Sequence, residues 1–254
     1  MTVHDVHTHI WDSHPDDERV LLEAIERYAI ERIYVSTIEK YAPDADDVRR
    51  YNARTAAFAR AQPSCVSGYV YVSPELPDAM DTLRRGIEEQ GLIGVKFWVS
   101  SYCDAPCVNP LVERIIDYGV PLLVHSFHKA NGQVPNETVG RNVAALARRY
   151  PEVKIIMAHF GGNCYNGIPA IRDCDNVWCD YCGSIFRGDE MNYALEYLGA
   201  ERILFGTDMP GSFVVNFGQV LEADISDAGR DLILCGNAKR LFDRNYRRRG
   251  ATFS

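Results

Sequence analysis

The sequence predicts an α/β protein folded as a (β/α)8 TIM barrel. Apolar, β-rich runs alternate with helix-like segments eight times along the 254 residues, which matches the count and the size of such a barrel. The runs are almost continuously apolar, as expected for parallel strands that are covered on both faces. No linker rich in proline, glycine or serine interrupts the sequence. We therefore expect residues 1–254 to form a single barrel domain, with an open doubly wound sheet as the alternative.

The predicted elements follow one another in a regular order. The eight strands are short runs rich in valine, isoleucine, leucine and aromatic residues. They cover residues 2–12, 31–38, 66–73, 92–99, 121–127, 154–160, 177–184 and 202–207. Between them, apolar residues recur at three- and four-residue spacing, which predicts helices. The helices cover residues 16–30, 46–61, 77–89, 110–118, 142–150, 168–173, 189–198, 217–223 and 227–242.

Composition excludes several classes of function. The net charge of −8 argues against a nucleic-acid partner, which would require a basic face. The sequence shows neither a basic-then-apolar leader nor an apolar run long enough to span a bilayer, so we expect a cytoplasmic protein without a membrane partner. Its eight cysteines are expected to be mostly reduced, because disulfide frameworks belong to much smaller secreted chains. We expect a small-molecule substrate and a homo-oligomer, specifically a dimer.

The first predicted strand carries a His-Thr-His motif, His7-Thr8-His9, shortly after Asp5. Side chains alternate along a strand, so Asp5, His7 and His9 are predicted to share one face. Two imidazoles on that face can both reach one ion at the end of the strand, which suits a divalent metal such as zinc. A motif this short also arises by chance, with one imidazole capping a loop and the other at the surface. Its meaning therefore depends on the rest of the chain.

Four later strands also end in residues that carry chemistry, namely Lys96, His125, His159 and Asp208. The carboxyl ends of the strands meet at one face of a (β/α)8 barrel and build the active site there. Each residue has a structural alternative: Lys96 could extend its ammonium to solvent, His125 could be a hydrogen-bonded core histidine, and Asp208 could cap a turn. Burying several titratable groups together is costly without pairing or an ion, so we predict a metal site.

Together these motifs resemble the amidohydrolase superfamily, over about residues 2–243. The segments Gly206-Thr207-Asp208-Met209-Pro210 and 235–242 are similar to the amidohydrolase-2 branch, which includes aminocarboxymuconate-semialdehyde decarboxylase and related lactonases and hydratases. The resemblance implies a TIM barrel of the metal-dependent hydrolase type. It also implies catalytic roles for the residues at the strand ends.

The resemblance implies one divalent ion, most often zinc, with the ligands His7, His9, His125 and Asp208. His159 would be the general acid/base, and Asp208 would also hold or deprotonate the attacking water. Lys96 is the ambiguous catalytic position, since in binuclear relatives the lysine on strand four is carboxylated and bridges two ions. We therefore expect one ion, or two if Lys96 is carboxylated.

The predicted reaction is hydrolysis of an ester, lactone or amide bond by water activated on the ion. A non-oxidative decarboxylase of an aromatic or dienoic acid is the alternative enzyme, in which the ion binds the carboxylate. Only residues 13–17 separate strand one from its helix, and this shortness favours hydrolysis, because the decarboxylase relatives generally carry an insertion there. A catalytically inactive binding protein on the same barrel is the alternative from another class.

Four residues near the strand ends are predicted to contact substrate. Trp11 and Trp98 could line an apolar pocket that accepts a ring, or could simply pack in loops. Arg187 suits bidentate contact with a substrate carboxylate, although a solvated surface arginine is the alternative. His128 lies in a long loop and could reach the pocket. The Cys179-x-x-Cys182 pair is predicted to be structural, because positions three apart on a strand face opposite ways.

Overall fold

The computed structural model describes residues 2–183 and 188–243, and within them eight parallel strands pair in sequence order. The strands are β1 (Val3–Trp11), β2 (Ile30–Ile38), β3 (Val66–Tyr71), β4 (Gly94–Phe97), β5 (Leu122–Val124), β6 (Ile155–Met157), β7 (Val177–Asp180) and β8 (Ile203–Leu204). The helices are α1 (Asp17–Tyr28), α2 (Ala45–Ala61), α3 (Ala79–Glu88), α4 (Asn109–Tyr118), α5 (Gly140–Arg149), α6 (Cys164–Ile171), α7 (Gly188–Leu198), α8 (Phe213–Glu222), α9 (Asp227–Asp231) and α10 (Asn237–Phe242). The predicted (β/α)8 TIM barrel is thereby confirmed.

The barrel closes where the segment after β8 meets β1. The amide of Val6 donates to the carbonyl of Phe205 at 2.9 Å, and the amide of Thr207 donates to the carbonyl of His7 at 3.0 Å. The buried carboxyl of Asp5 reinforces this seam by accepting from the Thr207 amide at 3.1 Å and from its hydroxyl at 2.6 Å. The seam places the segment around Asp208 beside the His-Thr-His motif.

Alternating strand residues build two apolar layers. One layer fills the barrel and takes one buried residue from each of seven strands: Val6, Tyr34, Tyr69, Leu123, Ile156, Trp178 and Leu204. The phenol of Tyr69 crosses this layer and donates to the carbonyl of Val6 at 2.7 Å. Neighbouring strand residues such as Val35 and Val124 instead join the larger core that includes the helices. The apolar runs of the sequence are therefore buried on both faces of the sheet, as parallel strands require.

A bulge in β1 determines which side chains enter the barrel. Asp5 pairs with Ile33 and Thr8 with Val35, so three steps along β1 match two along β2. The extra residue reverses the alternation: Val6 belongs to the interior layer, yet the imidazole of His7 also lies inside. The prediction that Asp5 shares a face with His7 and His9 is wrong for this reason, since Asp5 contacts Thr207 at the seam.

Several predicted boundaries differ from the structure. β5, β6 and β8 are shorter than predicted, and the residues after each strand turn into loops at the carboxyl end of the barrel. α6 begins at Cys164 and α8 at Phe213, each four residues earlier than predicted. Among the described residues, no helix combines the length and apolarity needed to span a membrane.

The buried guanidinium of Arg202 fastens the turn after α6 to the barrel. Its Nε donates to the carbonyl of Val177 at 2.9 Å. Its other nitrogens donate at 2.8 Å to three carbonyls, those of Ile171, Arg172 and Cys174. The planar fork of arginine suits several acceptors at fixed positions, whereas an ammonium is a single point charge.

We expect Arg202→Lys to lower the free energy of unfolding by about 3 kcal/mol, because buried carbonyls lose their donors. Denaturant unfolding measures this change, with Arg141→Lys at an exposed position of α5 as the matched control. Equal stability of the two variants would show that the four contacts contribute little.

Candidate metal and active site

The two imidazoles of the His-Thr-His motif face each other inside the barrel. Their Nε2 atoms are 3.0 Å apart. The Nδ1 of His7 lies 2.9 Å from a carboxylate oxygen of Asp180, and the Nδ1 of His9 lies 3.2 Å from the carbonyl of Ser36. Because these oxygens accept, we assign the hydrogen of each neutral ring to Nδ1. The facing Nε2 atoms then both present lone pairs, which is the arrangement of two ligands to one cation.

Asp208 completes this group of donors. Its Oδ1 is 3.6 Å from the Nε2 of His7 and 3.5 Å from that of His9. Donor atoms of His7, His9 and Asp208 all lie within 4.8 Å of one another. Burial raises the pKa of the Asp208 carboxyl above its ordinary value, because it disfavours the charged form, and a cation bound beside it would oppose this shift. These three residues could hold a divalent ion.

The backbone is strained where Asp208 enters the site. Asp208 adopts a left-handed conformation with φ of 65°, an uncommon value for a residue other than glycine. Its amide donates to the carbonyl of His7, which fixes it beside β1. Such strain persists only where the surroundings hold it and concentrates at functional sites.

Lys96 lies at the same place. Its Nζ is 3.0 Å from the Nε2 of His7, and the side chain is fully buried. Burial lowers the pKa of this ammonium to about 8. From the sequence, Lys96 was predicted either to extend its ammonium to solvent or to take part in the site. In the structure it contacts His7.

His125 and His159 form a second pair of facing imidazoles. The Nε2 of His159 is 3.2 Å from the Nδ1 of His125. The Nδ1 of His159 lies 2.7 Å from the carbonyl of Cys182, and the Nε2 of His125 lies 3.0 Å from a carboxylate oxygen of Glu137. These acceptors place hydrogens on the outer nitrogens, so the facing nitrogens present lone pairs. A proton or a cation between them would relieve their repulsion.

The nitrogens of His125 are directed toward His159 and Glu137. The group of donors within 4.8 Å that contains His7, His9 and Asp208 does not include His125 among the described residues. Ring contacts link the two pairs, with centroid distances of 5.0 Å from His7 to His159 and 5.1 Å from His159 to His125. The predicted ligand role of His125 stays a prediction.

The position of His159 depends on left-handed backbone and on a glycine. His159 has φ of 62° in a short turn, Ala158–Gly161, that follows β6. Gly183 packs against its ring, where a Cβ would lie only 2.9 Å from Nδ1, and the φ of Gly183 is 128°. A larger residue at Gly183 would displace the imidazole. The predicted strand to residue 160 is therefore replaced by a turn that aims His159 at His125.

Two acidic residues that orient these imidazoles were missed from the sequence. Asp180 is fully buried; it accepts from the His7 ring and, at 2.8 Å, from the amide of His159. It ends β7, but the predicted strand ran on to residue 184, which hid this strand-end position. Glu137 contacts both His125 and Lys129 from the loop before α5, where no strand pattern could single it out.

The two cysteines of the Cys-x-x-Cys pair have different surroundings. Cys179 belongs to the core shared with the helices, while the Sγ of Cys182 lies 3.0 Å from Asp180 and 3.2 Å from the Nδ1 of His7. None of the eight cysteines, all of which lie in the described residues, forms a disulfide. Cys182 was predicted to be structural because the predicted strand included it. In the structure Cys182 follows β7 and contacts Asp180 and His7.

The aromatic residues predicted to contact substrate lie next to the histidines. Trp11 and Trp98 pack edge to face with 6.2 Å between ring centroids. Trp11 also neighbours His9 at 6.2 Å, and Trp98 neighbours His125 at 6.5 Å. The side chain of His128 is exposed. Arg187, the predicted carboxylate partner, lies outside the described residues.

Two proteins named as decarboxylases are similar in sequence to this chain. The chain is 24% identical over 300 residues to gamma-resorcylate decarboxylase of Polaromonas sp. (strain JS666), covering 96% of this chain and 89% of the relative. The same name is carried by a protein of Rhodococcus jostii (strain RHA1) that is 23% identical and covered over 88% of its length.

Solved structures of similar proteins show the same fold. The 2,6-dihydroxybenzoate decarboxylase from Rhizobium superposes with a TM-score of 0.75 at 18% identity, covering 95% of this chain and 98% of that one. A dihydroxybenzoic acid decarboxylase from Polaromonas sp. JS666, with bound manganese and 2-nitroresorcinol, gives a TM-score of 0.73 at 22% identity over 99% of both chains.

The predicted hydrolysis of an ester, lactone or amide is wrong, because the named relatives are decarboxylases. The short segment after β1 was the reason for favouring hydrolysis. The relatives nevertheless match nearly the whole chain, covering 96% of it in one case. The short segment after β1 does not outweigh this match.

The fold, the strand-end residues and the relatives all point to one family. The family described as amidohydrolase matches residues 4–244, nearly the whole chain. This confirms the resemblance drawn from the His-Thr-His motif and the residues at the later strand ends. The chain belongs to the amidohydrolase family.

Proposed function

We propose that the protein is a metal-dependent, non-oxidative decarboxylase of an aromatic carboxylic acid. The named relatives act on dihydroxybenzoates, which suggests a hydroxylated ring. The decarboxylase part of the proposal rests on the named relatives, and its metal dependence rests on two imidazole Nε2 atoms 3.0 Å apart with an aspartate oxygen 3.5 Å away. These donors can hold a cation that binds an anionic substrate.

His7, His9 and Asp208 are the proposed ligands of one divalent ion, and His125 is the proposed fourth. Two or three nitrogen donors with one carboxylate oxygen suit zinc, the ion that the sequence predicts, and a similar solved structure contains bound manganese. When bound, the ion supplies positive charge that attracts the substrate carboxylate and polarises neighbouring oxygens. Ser36, Asp180 and Glu137 keep the outer imidazole nitrogens protonated, which directs the inner lone pairs toward the ion.

Lys96 is proposed to act as an uncarboxylated ammonium. Its Nζ, 3.0 Å from the Nε2 of His7, would add positive charge beside the donors. Since its side chain is fully buried, this charge is poorly screened by solvent and would favour an anionic substrate. We therefore propose one ion, rather than the two that a carboxylated Lys96 would bridge.

His159 is the proposed proton donor. Its Nδ1 hydrogen is committed to the carbonyl of Cys182, so its Nε2 is the nitrogen free to carry a second, transferable proton. That proton passes to the ring carbon that bears the carboxylate. The bond from this carbon to the carboxylate carbon then breaks and its electron pair restores the aromatic ring. Carbon dioxide leaves, and the ring keeps the added hydrogen.

Trp11 and Trp98 are proposed to hold the substrate ring. They lie beside His9 and His125, which brings an apolar surface next to the charged groups. A flat ring with one carboxylate would meet aromatic faces on one side and the ion on the other. His128 and Arg187 are proposed as further contacts for the polar groups of the substrate.

The proposal is tested by incubating the metal-loaded protein with a panel of hydroxybenzoic acids that includes 2,6-dihydroxybenzoate. We expect carbon dioxide and the corresponding phenol in equal amounts. In deuterium oxide, one deuterium should appear on the carbon that lost the carboxylate. Protein treated with chelator serves as the control. Absence of carbon dioxide with every acid, in protein of verified metal content, would contradict the proposal.

A further inference from the structure

A separate group of side chains that can bind a metal lies at the opposite end of the barrel from His7 and His9. His4 stands near the start of β1, Glu31 near the start of β2, and Cys235 precedes α10. One donor atom from each of these three residues lies within 4.8 Å of the other two. None of the three takes part in the proposed decarboxylation.

The fold brings the three residues together from distant parts of the sequence. β1 and β2 are paired neighbours, with His4 opposite Arg32, so Glu31 lies one residue away from the pairing position. Cys235 belongs to a π-helical turn, Leu232–Gly236, which is tied to the barrel by the bond from the Phe205 amide to the Ile233 carbonyl. π-Helical turns are rare and often occur at functional sites.

His4 offers a buried nitrogen that faces a carboxylate oxygen of Glu31. The residue is only 4% exposed, and its Nδ1 lies 3.2 Å from the phenol oxygen of Tyr34. Its Nε2 is buried and makes no hydrogen bond among the described residues, although an oxygen of Glu31 is 3.2 Å away. This spacing matches the edge between nitrogen and oxygen ligands of a tetrahedral zinc ion, which is about 3.3 Å for ordinary bond lengths.

We propose that His4, Glu31 and Cys235 bind one zinc-like divalent ion at the amino-terminal end of the barrel. Imidazole, carboxylate and thiolate are all zinc ligands. The Glu31 side chain is 46% exposed, so a water molecule could serve as the fourth ligand of the ion. The Tyr34 phenol orients the His4 ring from its far side, as outer partners of metal-binding histidines do. The ion would join β1, β2 and the turn before α10.

Lys239 competes with the ion for this site. Its Nζ lies 3.0 Å from Glu31, on the carboxylate oxygen that does not approach His4. Its side chain is 49% exposed and can move into solvent when a divalent cation replaces its charge. Removal of this ammonium should therefore strengthen zinc binding. If Lys239 and Glu31 formed only a structural ion pair, the same change would break the pair and leave zinc binding unaffected.

The test compares bound zinc in wild-type protein, Cys235→Ser and Glu31→Gln after gel filtration in the same buffer. We expect wild-type protein to retain one zinc per chain more than either variant, and Lys239→Met to bind this zinc at least tenfold more tightly. Cys107→Ser, at an exposed cysteine, is the matched control and should bind as wild type does. Glu31→Gln changes an accessible carboxylate, so it keeps the test valid if Cys235→Ser fails to fold.

Cobalt gives an independent readout that does not depend on activity. Cobalt bound at this site should show a thiolate-to-metal absorption band that Cys235→Ser abolishes. Cys182→Ser should retain the band, which excludes the thiol beside His7 as its source. Equal zinc content in wild-type protein and both ligand variants, or a band that survives Cys235→Ser, would overturn the proposal.

Discussion

Asp208→Asn is expected to lower kcat for decarboxylation by at least about 100-fold, because the ion loses its charged ligand. Asparagine has the size of aspartate and tolerates the left-handed backbone seen at this position, so the fold should be retained. Steady-state kinetics and metal analysis measure the two effects, which should appear together.

Asp224→Asn, at an exposed position after α8, is the matched control for Asp208→Asn and should leave both kinetics and metal content unchanged. The melting temperature of Asp208→Asn should lie close to that of the control when both are measured without added metal. Wild-type turnover in Asp208→Asn would remove Asp208 from the proposed site.

Asp180→Asn is expected to weaken metal binding by about 10- to 100-fold, the usual effect of losing an outer partner of a metal ligand. Asp180 contacts the His7 ring and the His159 amide from full burial. An amide at this position no longer enforces the tautomer that directs the Nε2 lone pair of His7 inward. Metal titration followed by activity measures the shift.

A positioning role for Asp180 predicts a particular pattern. At saturating metal, kcat should recover to within a few-fold of wild type, because the ligands themselves are intact. Asp173→Asn, on the exposed turn after α6, serves as the control. A loss of kcat that no metal concentration restores, in a folded variant, would show that Asp180 does more than orient His7.

The strand-end rule predicted much of the site but not its exact geometry. His7, His9, Lys96 and Asp208 come together because parallel strands of a barrel end at one face. The rule needs correct strand ends, and β7 stops at Asp180 rather than at residue 184. An error of four residues there concealed the partner of His7.

Other features depend on contacts that a linear pattern does not contain. The bulge in β1 arises from pairing with β2 and separates Asp5 from His7, although both occupy odd positions. Long-range hydrogen bonds from the amides of His159 and Asp208 hold their left-handed backbone, which is uncommon in residues other than glycine. Glu137 reaches His125 from a loop, and loop conformations carry little periodic signal.

The choice between reactions could not be made from the donor set. Imidazoles and a carboxylate around a cation serve hydrolysis and decarboxylation equally well, because both reactions begin with a polarised carbonyl or carboxylate oxygen. Only the relatives distinguish them, and these are decarboxylases. The short segment after β1 contains none of the residues that could hold an ion, so its length is no guide to the reaction.

Metal titration of the stripped protein tests the central claim most directly, with carbon dioxide release from a hydroxybenzoic acid and bound metal measured on the same samples. We expect release to rise with bound manganese or zinc and to level off once one ion per chain occupies the His7–His9–Asp208 donors, so that a further zinc bound by His4, Glu31 and Cys235 adds nothing to it. His9→Asn should remain inactive throughout the titration. Full carbon dioxide release from wild-type protein without bound metal, or from His9→Asn, would contradict the account.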